Sequence, residues 1–239
     1  MIENRDGKVK LYGVIIGVIF AFLQHGVYLL AHGIATLIGP EPILPKIPVI
    51  DDMIPLVPVF IIFYVWSYLF WAMGPMAVSK CKLDYFLDFM AAELFAWILG
   101  GIFLIIVPTY MDRVEEGLLD AERTGFFDRW LQFWYTLDGS EIAYNLMPSF
   151  HCINSTLCYL GVCGKKEIPL WFRIYSLVMA VLIFASTLFV KQHYFIDVVT
   201  GIIVAVIAYV ICIKLRAGRI FLKPIDFFKK LFSKKAEAN

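Results

Sequence analysis

Charge is what this sequence has least of. Only 17% of its 239 residues are Asp, Glu, Lys or Arg, while 61% are hydrophobic and the mean hydropathy is +0.77. A soluble domain of this length is ordinarily less than half apolar, so the excess argues against a water-soluble globule and for a bilayer. The net charge of +1 favours no partner by its sign, and no nucleic-acid partner is expected. Cysteine is sparse and odd in number. Cys81, Cys152, Cys158, Cys163 and Cys212 lie mostly inside apolar runs with no CxxC pair, which argues against a disulfide framework and a zinc site and for small apolar filler. No cluster of Asp and Glu has metal-ligand spacing, so neither metal nor cofactor is expected. No A-x-A-like site follows the first apolar run, which is also too long for a signal-peptide core, so the run is read as structure. Internal repeats are absent. Histidine is scarce, with four in the chain: His25, His32, His151 and His193.

What is present is a series of six apolar runs, at roughly 11–38, 55–74, 89–107, 148–164, 169–190 and 194–214. The expected fold is all-α, a polytopic membrane protein with six transmembrane helices in a single domain over residues 1–239. Gln24, His25 and His32 interrupt the first run and should face the bundle interior. Interhelical hydrogen bonding is the expected role of its histidines, a functional one the alternative. Pro40 to Pro58 holds six prolines and reads as an irregular surface loop. Gly74-Pro75 should end the aromatic-rich second span, and Gly100-Gly101 should permit close helix contact in the third. Residues 108–147 form the one long polar segment. Within it Phe126, Phe127, Trp130, Phe133, Trp134 and Leu137 recur at three-and-four spacing, which predicts an amphipathic interfacial helix that serves as a lid, a lipid-access wall or a plain anchor.

Loop charges set an orientation. With the N-terminus inside, sixteen of the 21 Lys and Arg residues lie in inner segments, eight of them from Lys214 to Lys235. The outer segments hold Lys46, Arg113, Arg123, Arg129 and Lys191. Both termini are therefore expected to be cytoplasmic, with residues 215–239 a basic cytoplasmic tail and the long loop outside.

Three polar elements should then meet on the outer face. In the stretch from Ser186 to Gly201, His193 precedes Asp197 by four residues, so on a helix they share a face. The carboxylate can hold Nδ1 and leave Nε2 free as a nucleophile or base. Pro148-Ser149-Phe150-His151 opens another helix, with Ser149 as its cap and His151 as a second imidazole. Arg113 and Lys191 offer cations to an anion. Two imidazoles and an anion nest suit phosphoryl transfer through a phosphohistidine. A His-x3-Asp pair that merely ties two helices together is the structural alternative.

PSxH followed by S-x6-H-x3-D in a six-span protein resembles the type 2 phosphatidate phosphatase superfamily, over roughly residues 108–201. Its third motif, SRxxxxxHxxxD, falls on Ser186, Thr187, His193 and Asp197, and its second, PSGH, on Pro148 to His151. Its first, KxxxxxxRP, falls on Arg113, with Ile106 and Val114 at the lysine and proline positions. The resemblance implies His193 as nucleophile, Asp197 as its partner, His151 as acid/base, and Arg113 with Ser149 as phosphate binders. Thr187 stands where the family has arginine and Phe150 where it has glycine, so the phosphate cradle is weaker or differently built, with Lys191 as the expected substitute. The HYFIDV wording and the non-glycine PSxH lean toward the branch that includes the sphingomyelin and inositol-phosphorylceramide synthases. The implied function is a metal-independent membrane phosphatase acting on a lipid phosphate substrate at the outer face. The alternatives are head-group transfer to a lipid alcohol and non-catalytic lipid-phosphate binding or transport.

Overall fold

The computed structural model describes residues 8–119 and 124–222. Arg5, Arg123 and the tail from 223 onward, on which part of the charge reading rests, lie outside the described residues. In chain order the elements are α1 (Leu11–Ile38), a one-turn α2 (Pro48–Asp51), and a 3₁₀ turn (Pro58–Phe60) running into α3 (Ile61–Val78). Then come α4 (Leu83–Ile106), β1 (Tyr110–Asp112), α5 (Phe126–Leu137), β2 (Ile142–Tyr144) and α6 (Phe150–Val162). α7 (Leu170–Phe189), α8 (Phe195–Leu215) and a 3₁₀ helix (Ala217–Phe221) complete the described chain.

Among the described residues the fold is all-α but for the two short strands, and five segments are long and apolar enough to cross a membrane: 11–38, 58–78, 83–106, 170–189 and 195–215. The protein is an integral membrane protein. The sixth expected span, 148–164, is instead a helix of 13 residues, about 20 Å long at 1.5 Å per residue against the roughly 30 Å of a hydrocarbon core. Its composition explains its place. Asn154, Ser155 and Thr156 are all buried, so the helix is too polar to face lipid and sits inside a ring of α3, α4, α7 and α8. Asn154 accepts from Trp97 Nε1 (2.7 Å) and donates to Gln24 (2.8 Å), and Ser155 accepts from Trp71 Nε1 (3.1 Å). Small residues let the neighbours close in. A Cβ on Gly74 would lie 2.5 Å from Cys158 Sγ, and one on Gly161 2.4 Å from the Phe89 ring. Along α4, the start of α6 packs at Gly100, and its end accepts at the Gly161 carbonyl from Tyr85 Oη (2.8 Å). α6 thus begins well below the end of α4, so what it carries at its N-terminus is recessed.

Two boundaries differ from the sequence reading. α3 continues through Gly74-Pro75 to Val78. Proline removes the amide that would reach the Trp71 carbonyl, and the Cys158 thiol lies against that carbonyl and the one before it. α4 begins at Leu83 rather than 89. Its Asp88 is buried and accepts from Gly218 N (2.9 Å) and Arg216 Nη1 (3.2 Å), tying the end of α8 to α4. Gly100 and Gly101 do face neighbouring helices, α6 and α1 respectively.

The polar segment after α4 is a cap built from β1 and β2, paired antiparallel, and from α5. α5 spans 126–137 as the aromatic spacing predicts, burying Leu131 and Tyr135 and exposing Phe126, Phe133 and Leu137. The proline-rich segment is more ordered than expected. Its Ile43 bridges Thr109, and its Asp51 is buried, accepting from Ile47 N (2.6 Å) and from Phe195 N (2.8 Å) at the start of α8.

Candidate active site

The third-motif stretch makes a hook rather than one helix. α7 stops at Phe189, Lys191 takes a left-handed φ of 50°, and the amides of Gln192 and His193 both donate to the Thr187 carbonyl (3.0 and 3.1 Å). His193 therefore lies outside α8, which starts two residues later. Asp197 stands in the first turn of α8, where its Oδ2 accepts from Tyr194 N at 2.8 Å and lies 3.4 Å from His193 Nδ1. The expected pair is formed across a helix N-terminus instead of along one helix face. At 3.4 Å the imidazole contact is longer than a good hydrogen bond, and such contacts tighten when substrate is bound.

PSFH is pressed against this hook. Ser149 caps α6, accepting from Cys152 N (3.4 Å), and its own amide donates to the Asp197 carbonyl (3.0 Å). Gly201 makes the approach possible, since a Cβ there would lie 2.6 Å from the Ser149 carbonyl. The result brings the rings of His151 and His193 to 6.1 Å between centroids. Tyr64 stacks on His151 at 4.2 Å, with Trp71 and Tyr68 edge-on at 5.0 and 5.7 Å. These three aromatics recur at four and three residues along α3, and their face wraps one imidazole whose buried Nε2 has no protein partner. A cavity of about 100 Å³ lies between, walled by His151, His193, Gln192, Asp138, Tyr64 and Trp71.

Arg113 comes in behind that wall, fully buried. Its Nη1 donates to the carbonyls of Tyr135 (3.2 Å) and Ser140 (3.0 Å), and its Nη2 to Asp138 Oδ2 (2.8 Å) and Gln192 Oε1 (3.0 Å). The Asp138 side chain lines the cavity and is 40% accessible. Its partial burial pushes its carboxyl above the usual carboxylate range, against the opposing pull of Arg113.

Six side chains were expected to form the site. Of these, His151, His193 and Asp197 come together, Ser149 shapes the backbone beneath them, and Arg113 reaches the wall through Gln192 and Asp138. Lys191 is not brought in. Its ammonium donates to the Asp51 carbonyl at 2.9 Å in the proline-rich segment, where burial lowers its pKa. The left-handed backbone that makes the hook turns this side chain away from His193. Of the other histidines, His25 lines the cavity, and His32 Nδ1 accepts from the Asn145 amide in the loop before PSFH. His32 therefore bonds a loop rather than a helix. Asp51, Asp138 and Gln192 went unrecognised as site-shaping residues, since no spacing rule links residues so far apart. The α3 aromatics were legible in their helical spacing.

No curated protein matches the chain in sequence. Residues 47–211 match the PAP2 superfamily. That stretch runs from the proline-rich segment through most of α8, and so contains His151, His193, Asp197 and most of the wall around them. Extending over more than half of the sequence, the match shows that the chain belongs to the PAP2 superfamily, and membership implies a phosphatase-type activity.

Proposed function

We propose that the protein hydrolyses a lipid phosphoester or pyrophosphoester through a phosphohistidine. The observation that carries this is the meeting of His193, held near Asp197, with His151 around one recessed cavity. Nδ1 of His193 faces the carboxylate, so Nε2 is the nucleophile. As Nε2 bonds to phosphorus, the bond to the leaving oxygen breaks, and protonated His151 gives that oxygen its proton. Water then attacks the phosphoryl group while neutral His151 accepts its proton, releasing phosphate and restoring both imidazoles. Ser149 and Arg113 shape the phosphate cradle. No metal is needed for these steps.

A lipid substrate fits the setting, since the cavity lies among apolar spans, with Tyr28 of α1 and Tyr64, Tyr68 and Trp71 of α3 in its lining. The same enclosure supports a second reading, transfer of the phosphoryl or phospho-alcohol group to a lipid alcohol, because the aromatic wall limits access of water. α6 is taken as a sixth, internal crossing, which returns the chain to the side of its N-terminus. The remaining basic loops then lie on the cytoplasmic side and the cavity on the outer side.

The test is a panel of lipid phosphates and pyrophosphates in detergent with EDTA present, with and without diacylglycerol or ceramide. Phosphate release that His193→Ala abolishes is expected. Head-group exchange without release favours the transferase, and no turnover of either kind favours a binding protein.

A further inference from the structure

Gln192 supports an inference that rests on the reading of this cavity as a phosphate site. The motif positions that would supply cations hold Ile106, which is exposed, and Thr187, whose hydroxyl donates to the Phe184 carbonyl at 2.8 Å. Arg113 is engaged with Asp138 and backbone carbonyls, and Lys191 with Asp51. Among the described residues no Lys or Arg lines the cavity.

Gln192 does line it, 3% exposed, one residue before His193 and pinned by its amide to Thr187. Its Oε1 accepts from Arg113 Nη2 at 3.0 Å. A guanidinium can only donate, so this contact fixes which end of the amide is oxygen. Nε2 is left at the other end, buried and without a protein partner. A buried donor without an acceptor is costly, and a phosphate oxygen would relieve that cost. We propose that Gln192 Nε2 donates to a non-bridging oxygen of the substrate phosphate beside His193, with Arg113 as the positioning residue that orients the amide. The cradle thereby uses an oriented neutral donor where its sequence lacks cations.

The experiment titrates inorganic phosphate into full-length protein in detergent. Gln192→Glu keeps the shape and the oxygen facing Arg113 but replaces the donor with an acceptor, and Gln192→Met keeps the volume with neither. Both should weaken phosphate binding by at least about tenfold near neutral pH, the scale of one hydrogen bond to a charged group. The Glu variant should regain affinity relative to wild type as pH falls below about 5, where a protonated carboxyl can donate again. A purely structural role would not produce that recovery. Phosphate binding by Gln192→Glu within tenfold of wild type, or no phosphate binding by wild type, overturns the proposal. If wild type binds phosphate and Gln192→Glu does not, yet no lipid phosphate is hydrolysed, Gln192 stands and the hydrolase reading falls. Turnover together with unchanged phosphate binding in Gln192→Glu gives the reverse.

Discussion

At the residue scale, the reaction depends on what Asp197 does for His193. The carboxylate has two tasks: its Oδ2 accepts the Tyr194 amide at the start of α8, and it faces the imidazole at 3.4 Å. Asn can still accept from Tyr194 through its oxygen, but it brings no negative charge to an imidazole that becomes cationic. Asp197→Asn should therefore leave the protein folded and lower kcat by two or more orders of magnitude, with thermal stability within about 1 kcal/mol of wild type. Steady-state kinetics beside a melting curve checks this, and loss of folding in step with loss of activity would make Asp197 a cap alone. His193, Asp197 and His151 were legible because few polar residues interrupt the apolar runs. Lys191 was misjudged for a physical reason: counting outer cations puts it near His193, but a left-handed φ at that residue decides where its side chain goes.

At the element scale, the long spans announced themselves, because 20 or more apolar residues have no other stable home than a bilayer or a large core. α5 was equally legible, since its aromatic stripe has helical period. α6 was not. Its apolar residues suggest a span, but its length is set by Ser149 at one end and Gly164, at φ +71°, just past the other, and Asn154 and Ser155 in its polar middle find their partners in Trp71, Trp97 and Gln24 on other helices. The two strands were missed because three residues each carry too little pattern, and the hook at 190–194 because its hydrogen bonds to Thr187 are a property of the folded chain. Pro75 misled for a related reason: a proline ends a helix in isolation, yet here a thiol on α6 lies against the carbonyls it frees.

At the scale of the whole molecule, the proposed orientation puts the two ends of α6 on opposite sides of the membrane. Cys163, just past its end, is exposed, while the other four cysteines are buried, so it serves as a built-in reporter. Glu115, exposed in the cap, gives the second position. In sealed vesicles of known orientation, an impermeant thiol reagent should reach Glu115→Cys from the outer side only and Cys163 from the cytoplasmic side only. Labelling of both from one side would mean that α6 does not complete a crossing, and would place the termini on opposite sides.

The claim at the centre of this account is that phosphate is carried for a moment on His193. Rapid quenching of turnover with a hydrolysable lipid phosphate, followed by peptide mass spectrometry under alkaline conditions, reads it directly. The account predicts an acid-labile phosphoryl group on the peptide containing His193, absent in His193→Ala. It also predicts more of this adduct in His151→Ala, which lacks the base for hydrolysis, when the substrate's leaving group needs no protonation. Turnover in His193→Ala within about tenfold of wild type, or phosphate carried on another residue, would contradict it.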